Sequence, residues 1–520
     1  MTDFRVLSDD ETKTFNKLHD QLNRLKRRNR LLVRYADSKK TLDQVGFSIP
    51  PHMASFQAVL GWPEKSCGVL TRRLRPRLFA SVNDSAVLED VNRHFSSTDV
   101  QLVERMAIGA AARHGVSFVF TSAGDTSIGE PEVVHSVCSA LTATALQDPR
   151  SRRIVAALEV VDGGFNMSLP GQTLAIRKRG RDWGVVDVFP TTPGRVLCTA
   201  YVIGGEADQL FGRSRITRPV MALTDMAVRV MLRQEVSAEF FSSPQRYMLG
   251  ATEDMFVGEN GEPRTGWESM LGALLAVPDD EDKYENQRVT VGQFAQMSMQ
   301  PHSDHLRTVA MMFSGETSIP SSFLGILHDN PSSAEAIIAH EAELVSIAET
   351  EIDWLNAARS SLALNAIAVL AGSEFSLSLA AEVSGFSPLW RDPSTPTRAA
   401  TADAMGKEIA ALPWMADSDV AIEGFGHDGP TVERLKAHRR RSSIAPLVER
   451  LAQTSAAQPA GQPVSPADEL SAAQVLKVKA DAVGVLRRAG VDANDAADRA
   501  GLPGLKFIPG QPITIKQADE

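Results

Sequence analysis

The stretch NPSSAEAIIAHEAELVSIAETEIDWLNAARSSLALNAIAVLAG, running from Asn330 to Gly372, decides the architecture. Beyond Pro331 it holds neither proline nor glycine until Gly372. Ser332 and Glu335 stand at capping-box spacing, which marks a helix start. A helix over residues 332–372 would be roughly 60 Å long, far beyond ordinary globular lengths. A rod of that length serves as a strut in an elongated or assembled structure.

Two shorter rods precede it. No Gly or Pro interrupts the chain between Pro219 and Pro244; Asp225 and Arg229 are spaced i,i+4, and Val220, Leu223, Ala227, Val230, Met231 and Phe240 supply apolar faces. The second rod, Pro301–Phe313, has a proline at its start and Gly315 after its end. Between the rods lies a polar, turn-rich insert. It contains Gly258-Glu259-Asn260-Gly261, a short helix near Trp267–Ala276, the acidic cluster Asp279–Asp282 and the alternating run Arg288–Val291.

Upstream, residues 8–35 read as a helix with Leu18, Leu22, Leu25 and Leu32 among Arg24, Lys26, Arg27, Arg28 and Arg30. The basic run is a solvated face in the plainer reading, a contact for DNA or a partner protein in the sharper one. From about 115 to 220 the pattern shortens to strands: Val116–Phe120, Ile154–Val161, Leu174–Ile176, Val185–Phe189 and Val196–Ile203, each closed by a Gly, Pro or Asp turn signal. Such spacing predicts a mostly antiparallel sheet. Past Gly372 the chain is Ala-rich and helical, with Pro388, Pro393 and Pro396 marking a boundary. It continues through a basic stretch, Arg434–Arg441, a low-complexity linker, Thr454–Pro466, and a short helical unit, Ser471–Ala500.

The composition sets limits. At 520 residues the chain needs more than one compact unit. A net charge of -10 argues against tight nucleic-acid binding over the whole surface, yet an acidic wall would let DNA slide past without sticking. Cys67, Cys138 and Cys198 are odd in number and far apart, so they form no disulfide framework, and assembly in a reducing cytoplasm is expected. The N-terminus is polar and unlike a signal peptide. The most apolar stretch, Ser361–Ala381, is broken by Asn365, Gly372 and Glu374 and reads as a buried helix plus turn, so no membrane association is expected.

Several strings, in this order and spacing, resemble the portal proteins of long-tailed bacteriophages, in particular those infecting actinobacteria. They are Gly129-Glu130-Pro131-Glu132-Val133 with Asp148-Pro149-Arg150, Gly212–Ile216, Phe240–Tyr247, Phe294–His302, and Leu324-Gly325-Ile326 followed by Asp329–Ile337. The resemblance reaches from the first helix to about residue 450. Two departures stand out: an aromatic-Gly element near the first helix is reduced to Arg34-Tyr35-Ala36, and residues 191–203 lack the Pro and Asn-Arg pattern expected before Gly212.

The resemblance implies an α+β, elongated and mainly helical fold with wing, stem, clip and crown, closing into a ring that usually has twelve subunits in the family. By similarity, residues 1–218 and the long helix 332–372 form the wing, 219–243 and 302–314 the stem helices, and 244–301 the clip. Residues 315–331 form a tunnel loop, 373–453 the crown, and 454–520 a linker and tail. The implied function is a non-enzymatic channel at one capsid vertex for DNA packaging, retention and ejection, assembled in the host cytoplasm. Its implied partners are the terminase large subunit, the major capsid and scaffold proteins, a head-completion adaptor, and duplex DNA without sequence specificity. The competing reading is another virion structural or scaffold-like assembly protein without a channel.

The tunnel-loop candidates are Ser318, Ser321, Ser322, Phe323, His328, Asp329 and Asn330, with Gly315, Pro320 and Gly325 as backbone punctuation. Short polar side chains there would touch phosphates weakly and without reading bases, which suits translocation. The plainer alternative is an interhelical turn. Enzymatic signatures do not assemble. Gly204–Ser214 and Gly163-Gly164 lack the Lys and spacing of a phosphate loop, no Gly-x-Ser-x-Gly elbow or triad can be built, and no cofactor or metal is expected. The cluster His302, Asp304 and His305 is short of ligands for a metal; Ser303 or Asp304 capping the second rod is the plainer reading.

Overall fold

A computed structural model describes residues 4–42, 58–81, 85–192, 194–242, 246–249, 290–293, 297–325, 334–394, 396–427, 431–432, 434–439, 441–442 and 493–502, with positions 479 and 483. The chain divides into two compact units, Met1–Thr395 and Pro396–Glu520.

In the first unit, helix α1 (Asp9–Ala36) starts at Ser8, whose hydroxyl accepts from the Glu11 amide while the Glu11 carboxylate accepts from the Ser8 amide, a complete capping box. Its first half buries Phe15 and Leu18 on a six-stranded antiparallel sheet against Leu158, Met167, Leu174, Ile176 and Val185. In space the strands run β1 (Arg5–Val6), β9 (Asp182–Pro190), β8 (Gln172–Arg179), β7 (Gly164–Leu169), β6 (Ile154–Val161) and β5 (Ala143–Gln147). Strands β6 to β9 are a meander joined by two-residue turns at Asp162-Gly163, Pro170-Gly171 and Gly180-Arg181. Gly163, at φ 77°, supplies the left-handed conformation that a tight hairpin needs.

A second antiparallel sheet, β10 (Cys198–Val202)–β3 (Val116–Ala123)–β4 (Val133–Ser139), lies against helix α4 (Thr98–His114). The alternation in β3 buries Phe118 and Phe120 in one apolar cluster with Ala143 and Ala157, and Val119 in another. The second cluster is the main core. It gathers α2 (Trp62–Thr71), α3 (Ala86–Phe95), the C-terminal half of α1, and the helix pair α5 (Arg218–Ser242) and α6 (Gln300–Thr317) around the long helix α7 (Ala334–Ala371).

Helix α7 has 38 residues, about 57 Å at 1.5 Å per residue. It runs unbroken to Gly372, as its composition predicts, while Ser332 of the expected cap lies outside the described residues. The mostly antiparallel strand region is also found, in two sheets instead of one. Helix α6 runs four residues past Phe313, its expected end: Gly315 sits inside it and Ser318, at φ 56°, closes it. Its start differs too. The N-cap position is Met299, with Pro301 in the first turn, so neither Ser303 nor Asp304 caps the helix; Asp304 instead accepts from the Gln300 amide side chain at 2.8 Å.

Residues 373–394, grouped with the crown by resemblance, belong to the first unit. Helix α8 (Leu377–Ser384) leads into β13 (Ser387–Trp390), which pairs antiparallel with β2 (Pro76–Ala80). Of the insert between α5 and α6, the described parts are β11 (Arg246–Leu249) and β12 (Thr290–Gln293), an antiparallel pair in which Leu249 faces Thr290. The Gly258 turn, the Trp267 helix and the Asp279 cluster lie outside the described residues.

The second unit contains α9 (Arg398–Ala411), α10 (Asp419–Gly424) and α11 (Ala493–Arg499). The basic stretch 434–441 is partly neutralised there: Lys436 pairs with Glu423 at 2.6 Å and with Asp419 at 3.7 Å, and Arg439 pairs with Asp419. The linker Thr454–Pro466 lies outside the described residues.

Candidate functional site

Helices α5 and α6 lie side by side, and the turn after α6 carries the first of the tunnel-loop candidates. Along α5, Val220, Ala227, Val230, Leu232 and Val236 are buried; along α6, Val309, Ala310 and Phe313 are. Met311 and Met312 face solvent. Tyr35, at the end of α1, donates its hydroxyl to the Asp225 carboxylate at 2.8 Å and ties the first helix to α5. Ser237 and His302 meet across the pair at 3.3 Å. Among the described residues no three His, Cys, Asp or Glu side chains converge as metal ligands.

The turn itself is pinned at several points. Ile319 and Pro320 are buried. Arg215 donates to the Thr317 carbonyl at 2.9 Å, Ser314 to the Ile319 carbonyl at 2.6 Å, and Lys65 to the Phe323 carbonyl. Ser321–Leu324 form one 3-10 turn ended by Gly325. Of the seven candidates, Ser318 donates to Glu343 of α7 at 2.7 Å. Phe323 packs on the main core, Ser321 is half-buried, and Ser322 is exposed. His328, Asp329 and Asn330 lie outside the described residues. Ser322 is therefore the described candidate whose side chain is open to a ligand, whereas Phe323 holds the turn in place.

Sequence reasoning missed the polar bonds that fix α7. Arg359 is fully buried and donates to Glu104 of α4 at 2.7 Å, to the Leu389 carbonyl at 3.0 Å, and to the Arg77 carbonyl. Tyr201 donates to the same carboxylate at 3.2 Å, and burial pushes its phenol pKa well up. The guanidinium also lies 4.7 Å from the Phe79 ring centroid and 5.3 Å from that of Trp390. One side chain thus ties together α4, α7, β2, β13 and, through Tyr201, β10. Further along α7, Arg73 pairs with Glu341 at 2.7 Å, and both Glu351 oxygens accept from the Gly204 amide. Asn365 donates to Thr199 at 2.9 Å and accepts from Arg195. An Arg and a Glu some 250 residues apart carry no local pattern that could announce such a pair.

The three cysteines are muted nucleophiles. Burial pushes the Cys67 and Cys138 thiols up to about 12, and Cys198 well up. A thiol so protonated is a poor nucleophile at neutral pH. His94 and His135 meet at 2.8 Å through their Nε2 atoms, and burial lowers both pKa values, His135 to about 3. They form a neutral, hydrogen-bonded pair.

No protein-family model matches the chain. It is 24% identical over 394 residues to the portal protein of Mycobacterium phage L5, spanning 72% of this chain and 77% of the phage protein. The portal protein of Mycobacterium phage D29 matches at 24% over 384 residues, with the same shares. The chain is thus similar in sequence to two mycobacteriophage portal proteins. Among solved structures, the neck of an empty gene transfer agent (GTA) particle aligns with 74% of this chain and 89% of its own, at 13% identity and a TM-score of 0.40. A subunit of the native GTA virion aligns over the same shares at 12% identity and a TM-score of 0.36. The actinobacteriophage resemblance of the sequence strings thus agrees with relatives matched over most of the chain.

Proposed function

We propose that this chain is a phage portal subunit: a non-enzymatic protein that closes into a ring at one capsid vertex and lets DNA through its centre. The observation that carries the reading is the match to two mycobacteriophage portal proteins over about three-quarters of their length. In this reading, residues 1–218 and α7 form the wing, and α5 and α6 the stem. The insert between them is the clip that meets the terminase and a head-completion adaptor. The turn after α6 approaches DNA with Ser318, Ser321, Ser322 and Phe323, and with His328, Asp329 and Asn330 beyond it. Residues 373–453 supply the crown, and capsid and scaffold proteins surround the wing in a particle assembled inside the host cell.

The fold supports this division of labour. A long helix tied in by the buried Arg359–Glu104 pair is a strut suited to such a frame, and α5 and α6 pair as two adjacent rods, as a stem requires. Imaging the purified full-length protein end-on tests the reading. Closed rings with a central hole are the expected result, and their subunits can be counted. A monomer at every concentration and salt would overturn it. Ser322→Glu adds a negative charge to the exposed position of the turn; rings should form normally while packaged genome length falls. Full packaging by that variant would remove the turn from the DNA path.

A further inference from the structure

We infer that the solvent face of α1 is a docking strip for the sugar–phosphate backbone of duplex DNA. The strip consists of Arg24, Lys26, Arg27, Arg28, Arg30 and Arg34. All six are exposed. None has a hydrogen-bond or ion-pair partner among the described residues, and residues 21–36 contain no Asp or Glu. The whole chain carries -10, so the strip is a local reversal of sign and not an expression of overall charge.

The rotation of the helix is set by two polar anchors on its opposite side. Asn29 is buried and donates to the Ala140 carbonyl at 2.8 Å. Gln21, eight residues earlier and so on the same face, donates to Thr144 at 2.8 Å and to the Ala145 carbonyl at 3.1 Å. With Leu22 and Leu32 buried alongside, the six cations are held outward on a rigid element. They span Arg24 to Arg34, about 15 Å of helix, enough for two or three successive phosphates of one strand.

The composition of the strip selects the partner class. A protein partner would need an apolar centre, since interface cores are depleted in charge. Here the exposed residues between Asn23 and Arg34 are all cations, apart from Asn23 itself. A row of arginines without an apolar anchor fits phosphates, positioned without base readout. The inference stands on α1 alone and does not depend on ring formation.

The experiment measures fluorescence anisotropy of a labelled random-sequence duplex against the full-length protein over a salt series. The wild type should bind, with affinity falling steeply as salt rises. Arg24→Gln/Arg27→Gln/Arg30→Gln removes one row of the strip and should weaken binding on the order of a hundredfold near 0.1 M salt, lowering the log–log salt slope by about 2–3. A charge-matched control, Arg93→Gln/Arg213→Gln/Lys407→Gln, removes cations that are paired elsewhere and should change binding by less than about threefold. Three outcomes overturn the inference: no binding by the wild type at low salt, equal loss in the control, or polyglutamate of matched charge binding more tightly than DNA through the same arginines. Imaging the same samples separates this from the portal reading, because rings that form without DNA affinity refute the strip alone.

Discussion

Replacing Arg359 with Met, which keeps its bulk, removes the charge from the most deeply buried ion pair among the described residues. Glu104 is 1% exposed, so its carboxylate would be left in a dry site with Tyr201 as its remaining donor. Removing one partner of such a pair costs about 3–5 kcal/mol. The Leu389 and Arg77 carbonyls lose their donor, and the contacts to Phe79 and Trp390 lose their cation, worth about 0.5–2 kcal/mol each. These terms overlap, so a loss of about 4 kcal/mol is expected, a large share of the ~5–15 kcal/mol that holds a domain folded. Hydrogen exchange read by mass spectrometry over residues 354–371 localises the effect; about 4 kcal/mol corresponds to roughly thousandfold faster exchange where opening is limiting. The double variant Glu104→Leu/Arg359→Met removes both charges and should recover about 2 kcal/mol or more relative to the sum of the single changes. Exchange within threefold of wild type in the single variant, or additivity of the two changes within ~0.5 kcal/mol, would refute the view that this pair organises α7.

Other expectations follow from the same geometry. His114 and His135 are neutral in the fold, with pKa values lowered by burial to about 4 and about 3, so below pH ~6.5 the unfolded chain takes up protons that the folded chain refuses. Their contribution is level above that pH and falls by about 1.4 kcal/mol per pH unit per histidine as acid is added. Melting temperatures between pH 7 and 5 should therefore drop, and a His114→Asn/His135→Asn variant should flatten the drop. Gly212 sits at φ 67°, and an added Cβ would meet the Ile203 carbonyl oxygen at 2.1 Å. Gly212→Ala should cost about 2 kcal/mol or more by denaturant midpoint, and a neutral result would mean that the 204–216 loop is free to shift. Tyr35→Phe deletes the bond to Asp225 and should cost about 1–2 kcal/mol, with protection lost at the start of α5; an unchanged exchange pattern there would sever the link between α1 and α5.

The rods were legible because helices advertise themselves locally. From Ala334 to Ala371 nothing breaks the pattern, and Pro301 and the punctuation around α5 mark their neighbours. The strands were half legible. Ile154–Val161 is apolar enough to stand out, but Gly164–Leu169 reads Gly-Phe-Asn-Met-Ser-Leu, and its strand character comes from pairing with β6 and β8. The Asp162-Gly163 dipeptide was the available signal for that hairpin. Strand β1 is two residues long, and β2 and β13 come together from positions about 310 residues apart with prolines in both. No local rule finds such partners. At the candidate site, Pro320 and Gly325 bracket the turn after α6, whereas Gly315, expected just past the helix end, lies inside the helix. Side-chain packing did not follow from sequence: nothing local shows that Phe323, in the Ser321–Leu324 turn, is half-buried against the main core.

The ladder of β11 and β12 has a consequence for how the molecule can change over generations. Chain leaves α5 through Arg246–Leu249 and returns to α6 through Thr290–Gln293, side by side, so the exit and the re-entry are already stitched shut. Whatever is spliced between Leu249 and Thr290 can grow, shrink or be exchanged without asking the two helices to move, since lengthening a closed loop costs little. The insert can be traded while the frame stays constant.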